Sequence, residues 1–204
     1  MTTTSAKLDI SQHRKPTYDI DSVFTERWSG RAFLEKEVPS EVLYSLFEAA
    51  RWAPSAANWQ PWRFIMARTS HDRQAFHSFI NEKNRKWCEK APVMMLVLSK
   101  KTNPDGQPNS FHSFDAGAAW ANFALQAASI GLMTHPMGGF DKNKAREVLN
   151  IPDEYDIHAV VAIGYQGDPE DLPEEFIGRE KPSDRQPLSA MVFEGQFDRS
   201  IKDI

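Results

Sequence analysis

The stretch DAGAAWANFALQAASIGL, residues 115–132, is the most helical part of this chain. It is dense in alanine, the residue with the highest helix propensity, and Gly131 stands where a C-cap glycine would end a helix. Its apolar residues wrap most of the helix circumference, which is typical of a helix that is buried or held at a subunit interface. The sequence therefore predicts a long, largely covered helix over residues 115–130.

Helical and extended patterns alternate on both sides of this segment. A helix is predicted from Pro39 to just before Pro54, because apolar residues recur there at helical spacing. Strands are predicted at residues 62–67, 92–98 and 157–164, and the second is continuously apolar, as in a strand covered on both faces. The predicted class is α+β, with one central sheet.

Length and composition indicate one soluble domain. The 204 residues are 41% hydrophobic and 25% charged, with a net charge of −4 and dispersed basic residues. We expect an arm at residues 1–18, a single domain over 19–198 and a tail at 199–204. Neither a secretory signal nor a membrane span is recognisable, so we expect a cytoplasmic protein with no nucleic-acid or membrane partner.

Two residues are expected to have structural roles. Asp115 is predicted to cap the long helix. Cys88 is the only cysteine, which excludes an intramolecular disulfide and a thiolate metal cage, and we interpret it as a structural thiol.

Familiar catalytic motifs are missing from the sequence. It contains no G-x-G-x-x-G, no G-x-x-x-x-G-K-[ST], no H-E-x-x-H and no G-x-S-x-G, and its six histidines are scattered. Dinucleotide-fold, P-loop, zinc-enzyme and hydrolase interpretations therefore have no support, and no metal ligands are predicted.

Three segments could bind a ligand. Arg27, Ser29 and Arg31 would suit a phosphate, because guanidinium groups pair with its oxygens in a bidentate manner. Residues 54–62, PSAANWQPW, combine small residues, directional polar groups and tryptophans, as a flat aromatic ligand requires. Residues 134–140, THPMGGF, contain paired glycines whose N–H groups can face a ligand. Taken singly, each segment favours a solvated loop or a turn over a ligand site.

In their order along the chain these segments resemble the FMN-dependent nitroreductase family. The resemblance runs from about Asp19 to about Phe197 and rests on six motifs in register: ERWSGRAF, EAARWAPSAANWQPWRF, DAGAAWANFALQAASIGL, MGGFD, IPDEYDIHAVVAIGY and the late R-x-P-L. It implies a mostly antiparallel central sheet flanked by helices, with the alanine-rich helix at a homodimer interface and FMN between the subunits.

The resemblance also implies which residues bind FMN. The phosphate and ribityl end would be held by Arg27, Ser29, Arg31 and Arg185. The isoalloxazine would be bordered, from the partner chain, by Pro54, Ser55, Ala56 and Asn58, with Gln60 nearby. Backbone donors toward the ring edge would come from Met137, Gly138 and Gly139. Trp28 departs from the family, since many members carry arginine there. Its backbone could still contact FMN, and the role of its side chain stays open.

The activity that the resemblance implies is oxidoreduction. NADH or NADPH would deliver a hydride to flavin N5, and a nitroaromatic, a quinone or a similar small acceptor would then be reduced in a ping-pong reaction. The flavin carries the chemistry, so no catalytic side chain is predicted; Trp59 and Phe111 are candidate walls of the acceptor pocket. The alternatives are reductive dehalogenation or flavin fragmentation on the same scaffold, or a flavin-binding protein without turnover.

Overall fold

The computed structural model describes residues 10–202. Residues 1–9 of the predicted arm and residues 203–204 of the predicted tail lie outside the described residues. The helices and strands are α1 (Val23–Glu26), α2 (Ser40–Arg51), β1 (Trp62–Ala67), α3 (Ser70–His77), α4 (Glu82–Cys88), β2 (Val93–Lys100), α5 (His112–Ser129), β3 (Met133–Met137), α6 (Lys142–Val148), β4 (Tyr155–Gly164) and α7 (Glu174–Ile177).

The strands of the described chain form one antiparallel sheet in the order β1-β2-β4-β3. Trp62 of β1 pairs with Ser99 of β2, and Met133 of β3 pairs with Gly164 of β4. The predicted α+β class and antiparallel sheet are confirmed.

The two central strands separate two hydrophobic layers. One face of β2 presents Met94, Leu96 and Leu98 to a layer that includes residues of α3, α4 and α6. The opposite face presents Val93, Met95 and Val97 to a layer built by α2 and α5. Successive strand residues point to opposite faces, so a strand with both faces covered must be continuously apolar, as its sequence indicates.

Helix α5 packs one face against α2 and the sheet and leaves the other face open. Ala119 and Phe123 are fully buried, whereas Phe114 is 78% exposed and Gly117 and Ala121 are also exposed. The prediction of a largely covered helix is therefore confirmed for one face of α5, and the described part of the chain does not itself cover the other face. Although α5 is the longest helix, none within residues 10–202 is long and apolar enough to cross a bilayer.

Strand β3 was not predicted, and its position in the sheet explains why. It contains Pro136, which cannot donate a backbone hydrogen bond and is tolerated mainly on edge strands. Because β3 is an edge strand that pairs only with β4 in the described sheet, proline is accommodated there. The interpretation of residues 134–140 as a turn was therefore wrong for residues 134–137.

Asp115 is not the cap of α5, contrary to prediction. The helix begins at His112, with Phe111 at the N-cap position. Asp115 lies buried in the first turn, where its Oδ2 accepts a hydrogen bond from the N–H of Ala56 at 3.2 Å. It therefore fixes the loop before β1. Cys88 is fully buried, as expected of a structural thiol, and burial raises its pKa to about 12.

Candidate functional site

The loop after α1 carries the first group of predicted site residues. Arg27 Nη1 donates a hydrogen bond to Ser29 Oγ at 3.4 Å, and both residues are half-buried. Arg185 lies close enough that its charge, after the larger effect of burial, lowers the pKa of Arg27. We call Arg27, Ser29 and Arg185 the arginine cradle.

Arg14 joins the two backbone segments that carry the arginine cradle, one with Arg27 and the other with Arg185. Its Nη1 donates to the carbonyl oxygens of Thr25 at 2.8 Å and Arg27 at 2.6 Å. Its Nε donates to the carbonyl oxygen of Ser183 at 3.0 Å, two residues before Arg185. Arg14 lies within the predicted arm and was not predicted to belong to the site. It is nevertheless only 8% exposed.

Positive charge exceeds negative charge around the arginine cradle. Burial, and then the charges of Arg185 and Arg27, lower the pKa of Arg14, while Asp184 raises it. Three guanidinium groups are thus gathered near one carboxylate. Such an arrangement favours a bound anion, and the guanidinium fork matches the geometry of phosphate oxygens.

Arg31 lies in the same loop but interacts with a different group. Its Nη1 is 3.9 Å from Oε2 of Glu180, whose Oε1 accepts hydrogen bonds from the backbone N–H groups of Arg31 at 2.6 Å and Ala32 at 2.9 Å. Burial lowers the pKa of Arg31, and Glu180 opposes that shift. Glu180, which the sequence interpretation missed, therefore fixes the direction of the loop.

His135 of β3 connects this loop to the sheet. Its Nδ1 lies 2.9 Å from the carbonyl oxygen of Gly30. Burial, with a smaller effect from Arg31 and Arg27, lowers the pKa of His135 to about 4. The ring is therefore neutral at pH 7, and its Nδ1–H is placed to donate to Gly30. Gly30 itself has no room for a side chain, since a Cβ would lie 2.3 Å from Sδ of Met133.

The predicted glycine turn follows β3 directly. Met137 ends the strand and is buried, and Gly138 is exposed with open space where a Cβ would be. A Cβ on Gly139 would lie 2.6 Å from Nδ2 of Asn84, which donates to the carbonyl oxygen of Gly139 at 3.2 Å. Within the described chain, the N–H groups of Gly138 and Gly139 have no hydrogen-bond acceptor. They are therefore free to bind a ligand.

The second predicted group forms a tight turn after Pro54. Ser55 Oγ accepts a hydrogen bond from the N–H of Gln60 at 3.1 Å, and Gln60 Nε2 donates to Oδ1 of Asn58 at 3.1 Å. Ala57, Asn58 and Gln60 have φ angles of 46°, 56° and 49°. This left-handed conformation costs conformational energy in a residue other than glycine. Three such residues among the four positions 57–60 therefore indicate a turn that contacts with its surroundings hold in place.

The two groups lie at opposite ends of α5. Ala56 is bonded to Asp115 in the first turn, whereas Arg27 and Trp28 line a cavity of about 80 Å³ together with Ala128 in the last turn. Thirteen residues of α-helix span roughly 20 Å. One chain therefore brings Arg27, Ser29 and Arg185 together and places residues 54–60 at the other end of α5.

Aromatic side chains surround the N-terminal end of α5. Phe111 is 56% exposed and Phe114 is 78% exposed, while Trp59, within the strained turn, is half-buried. Trp28, at the other end, is only 7% exposed. Its side chain is therefore packed inside the protein rather than presented to solvent.

A buried serine between two histidines lies near the same end of α5. Ser99 Oγ is 2.7 Å from His112 Nδ1 and 2.6 Å from His158 Nε2, and His112 Nε2 is 3.7 Å from Asp156 Oδ2. Ser99 is fully buried, so its hydroxyl cannot reach a substrate. The cluster ties α5 to β2 and β4. Among residues 10–202, no group of three or more His, Cys, Asp or Glu side chains could hold a metal ion.

Comparison with known proteins identifies one family. The model of the nitroreductase family matches residues 24–86 and 70–165. The chain is similar to the NADH dehydrogenase of Thermus thermophilus, with 28% identity over 209 residues that cover 87% of this chain and 96% of that protein.

Solved structures agree with this result. A crystal structure described as an oxidoreductase containing FMN is 43% identical and superimposes with a TM-score of 0.87, covering 92% of this chain and 97% of its own. A nitroreductase family protein from Clostridium difficile 630 is 24% identical, with a TM-score of 0.69 over 88% of this chain and 99% of its own. The second likeness shows the shared fold alone.

Proposed function

The chain belongs to the nitroreductase family, and we propose that it is an FMN-dependent oxidoreductase that uses NADH or NADPH to reduce nitroaromatics, quinones or similar small acceptors. When bound, FMN would accept a hydride at N5 and pass the electrons on to the second substrate in a ping-pong cycle. A cytoplasmic location, where NAD(P)H is available, is part of the proposal.

The arginine cradle is the observation that carries this proposal. FMN has a dianionic phosphate at one end and a flat ring system at the other. Arg27 and Arg185, with Arg14 behind them, supply an excess of positive charge, and Ser29 supplies a hydroxyl. These residues fit a phosphate group, which would relieve the mutual repulsion of the guanidinium groups. Arg31, held beside Glu180, is proposed for the ribityl end.

The glycine turn is proposed to receive the edge of the flavin ring. Gly138 and Gly139 present N–H groups without acceptors in the described chain, and a side chain at Gly139 would collide with Asn84. Backbone donors at a fixed position can stabilise negative charge that develops on a bound ring. His135 holds the neighbouring loop through Gly30 and is neutral at pH 7, so we assign it no role as a proton donor.

A complete site is proposed to need two subunits. The turn that contains Ser55 and Asn58 lies at the opposite end of α5 from the arginine cradle. If two copies packed α5 against α5 about a two-fold axis perpendicular to the helices, the N-terminal end of one helix would lie beside the C-terminal end of the other. Phe114, Gly117 and Ala121 form an exposed apolar stripe that would suit such packing. Trp59 and Phe111 would then wall the acceptor pocket.

An absorbance spectrum of the purified protein, taken before and after anaerobic NADH or NADPH, tests the proposal. Flavin bands that bleach on addition and return with a nitroarene or a quinone would support it. A colourless protein that neither binds added FMN nor oxidises NAD(P)H would refute it. Loss of the flavin spectrum under oxygen, with new products, would instead indicate flavin fragmentation.

A further inference from the structure

Arg14 links two segments that are distant in sequence and meet at the arginine cradle. The bond from Nε to the Ser183 carbonyl spans 169 positions, and the bond from Nη1 to the Arg27 carbonyl spans 13. One planar guanidinium therefore sets the spacing between the backbone that carries Arg27 and the backbone that carries Arg185. Arg14 also lies before residue 24, where the match to the family model begins.

The surroundings of Arg14 are costly for a cation. Its side chain is buried, and Arg27 and Arg185 are close enough to repel it, while Asp184 is the carboxylate that offsets this repulsion. Burying a charge among like charges destabilises the folded chain unless the hydrogen bonds and an opposite charge compensate. Three carbonyl oxygens supply part of this compensation. An anion bound in the arginine cradle would supply the rest.

We propose that Arg14 is a positioning residue for phosphate recognition: it fixes the distance between Arg27 and Arg185 and adds its charge to theirs. The inference rests on the proposed function, because it takes the arginine cradle to be the FMN phosphate site. Arg14 acts through the backbone of its neighbours, since its Nε and Nη1 are already engaged with carbonyl oxygens. Its effect should therefore depend on the fork geometry as well as on charge.

The chain contains a matched arginine for comparison. Arg146 Nη1 donates to the carbonyl oxygens of Ile151 at 3.1 Å and Pro152 at 2.6 Å, and its Nη2 donates to that of Tyr155 at 2.8 Å. It thus makes the same number of backbone bonds as Arg14. Tyr155 begins β4 and Gly164 ends it next to β3, so Arg146 lies roughly 30 Å along the strand from the site.

The test compares FMN with riboflavin, which has the same ring and lacks the phosphate. Dissociation constants of both are measured by flavin fluorescence for the full-length wild type, Arg14→Lys, Arg14→Met and Arg146→Lys. We expect Arg14→Lys to weaken FMN binding by roughly tenfold, because the compact ammonium group lacks the planar fork with which Nε and Nη1 reach carbonyls on two segments, and Arg14→Met to weaken it further. Riboflavin binding should change by less than about twofold in both variants, and Arg146→Lys should change neither ligand.

The outcomes separate this inference from the function on which it rests. Wild-type protein that binds neither flavin, or that does not prefer FMN over riboflavin, would refute the phosphate site itself. An unchanged FMN-to-riboflavin ratio in Arg14→Lys would refute the positioning role, and equal losses for both ligands would show that Arg14 serves folding alone.

A second measurement applies if the variants fail to fold. In ¹⁵N spectra of the wild type, the Arg14 Nε–H signal should shift on addition of FMN, and less with riboflavin, while the Arg146 signals stay in place. An Arg14 signal that does not respond to FMN would overturn the proposal.

Discussion

The carboxylate of Glu180 accepts a hydrogen bond of 2.6 Å from the backbone N–H of Arg31, across 149 positions of sequence. The same oxygen accepts from Ala32, and the side chain of Glu180 is fully buried. A single late residue thereby holds the loop that also carries Arg27 and Ser29. The loop has no helix or strand of its own to fix its shape, so this contact substitutes for regular structure.

Replacing Glu180 with alanine should destabilise the fold. The buried N–H of Ala32 and the partly buried N–H of Arg31 would lose their acceptor, and Arg31 would lose its counter-charge, so we expect a loss of about 2–4 kcal/mol in the free energy of unfolding. Glu180→Gln, which keeps an acceptor oxygen, should lose less. Urea titrations of the flavin-free protein, all at the same protein concentration, measure the free energy of unfolding of both variants.

The control is an exposed ion pair. Glu175→Ala removes the partner of Lys86 at the surface and should change the stability little, since exposed pairs contribute weakly. If Glu180→Ala unfolds at the same urea concentration as the wild type, Glu180 does not organise the loop as we argue.

Arg27→Ala and Arg185→Ala should each weaken FMN binding markedly. A charged hydrogen bond to phosphate contributes roughly 1.5–3 kcal/mol, which corresponds to a rise of about ten- to a hundredfold in the dissociation constant. The matched control is Arg68→Ala, because Arg68 also donates to a serine hydroxyl, that of Ser40, away from the arginine cradle. FMN affinity that is unchanged in both cradle variants would remove the assignment of the phosphate site.

Local patterns predicted most of the fold, and the errors have physical causes. Residues 62–67 were predicted as a strand and form β1, because apolar β-forming residues bounded by proline leave few alternatives. Strand β3 escaped detection because Pro136 argues against a strand, and only its edge position permits it. Asp115 was misassigned because the capping preference of aspartate ignores a partner that is distant in sequence.

The site was less predictable than the fold. Arg27, Ser29 and Arg185 were selected from a motif, and the structure brings them together. Arg14 and Glu180 carried no local signal, because each has a backbone partner more than a hundred positions away. A single sequence shows which residues could bind a phosphate. It does not show which residues hold them in place.

The free energy of unfolding of the flavin-free protein should decrease as the pH is lowered, partly because of His135. Its pKa is lowered from about 6.5 to about 4 by burial, so the unfolded chain binds a proton more readily than the folded chain. The contribution is complete above pH 6.5, is lost progressively as the pH falls from 6.5 toward 4, and is absent below pH 4. Between pH 7 and pH 5 we expect a loss of up to about 2 kcal/mol from this group.

His135→Asn isolates that contribution. Asparagine can still donate to the Gly30 carbonyl but does not titrate, so the variant should show a shallower fall in unfolding free energy over the same range. His77 and His158, whose pKa values are also lowered by burial, are present in both proteins and cancel in the comparison. Identical pH profiles would mean that His135 is not buried as a neutral ring.

Mixed dimers can decide whether one site draws on two chains. Arg27→Ala impairs the arginine cradle, and a Ser55→Ala/Asn58→Ala variant impairs the turn at the other end of α5. If the two groups that form a site belong to different subunits, a mixed dimer has one doubly impaired site and one intact site. Random mixing makes half of the dimers mixed, so about one quarter of all sites should be intact.

Co-expression of the two variants in equal amounts provides the random mixture of parental and mixed dimers, which is purified without separating them. Flavin occupancy and NAD(P)H oxidation are measured at an FMN concentration that leaves both parental proteins largely empty. Recovery toward one quarter of the wild-type value would support the shared site, because neither parent contains an intact one. A mixture that only averages its parents would place both groups of each site in the same chain, and the roughly 20 Å between the ends of α5 would then have to be closed by a rearrangement within the subunit.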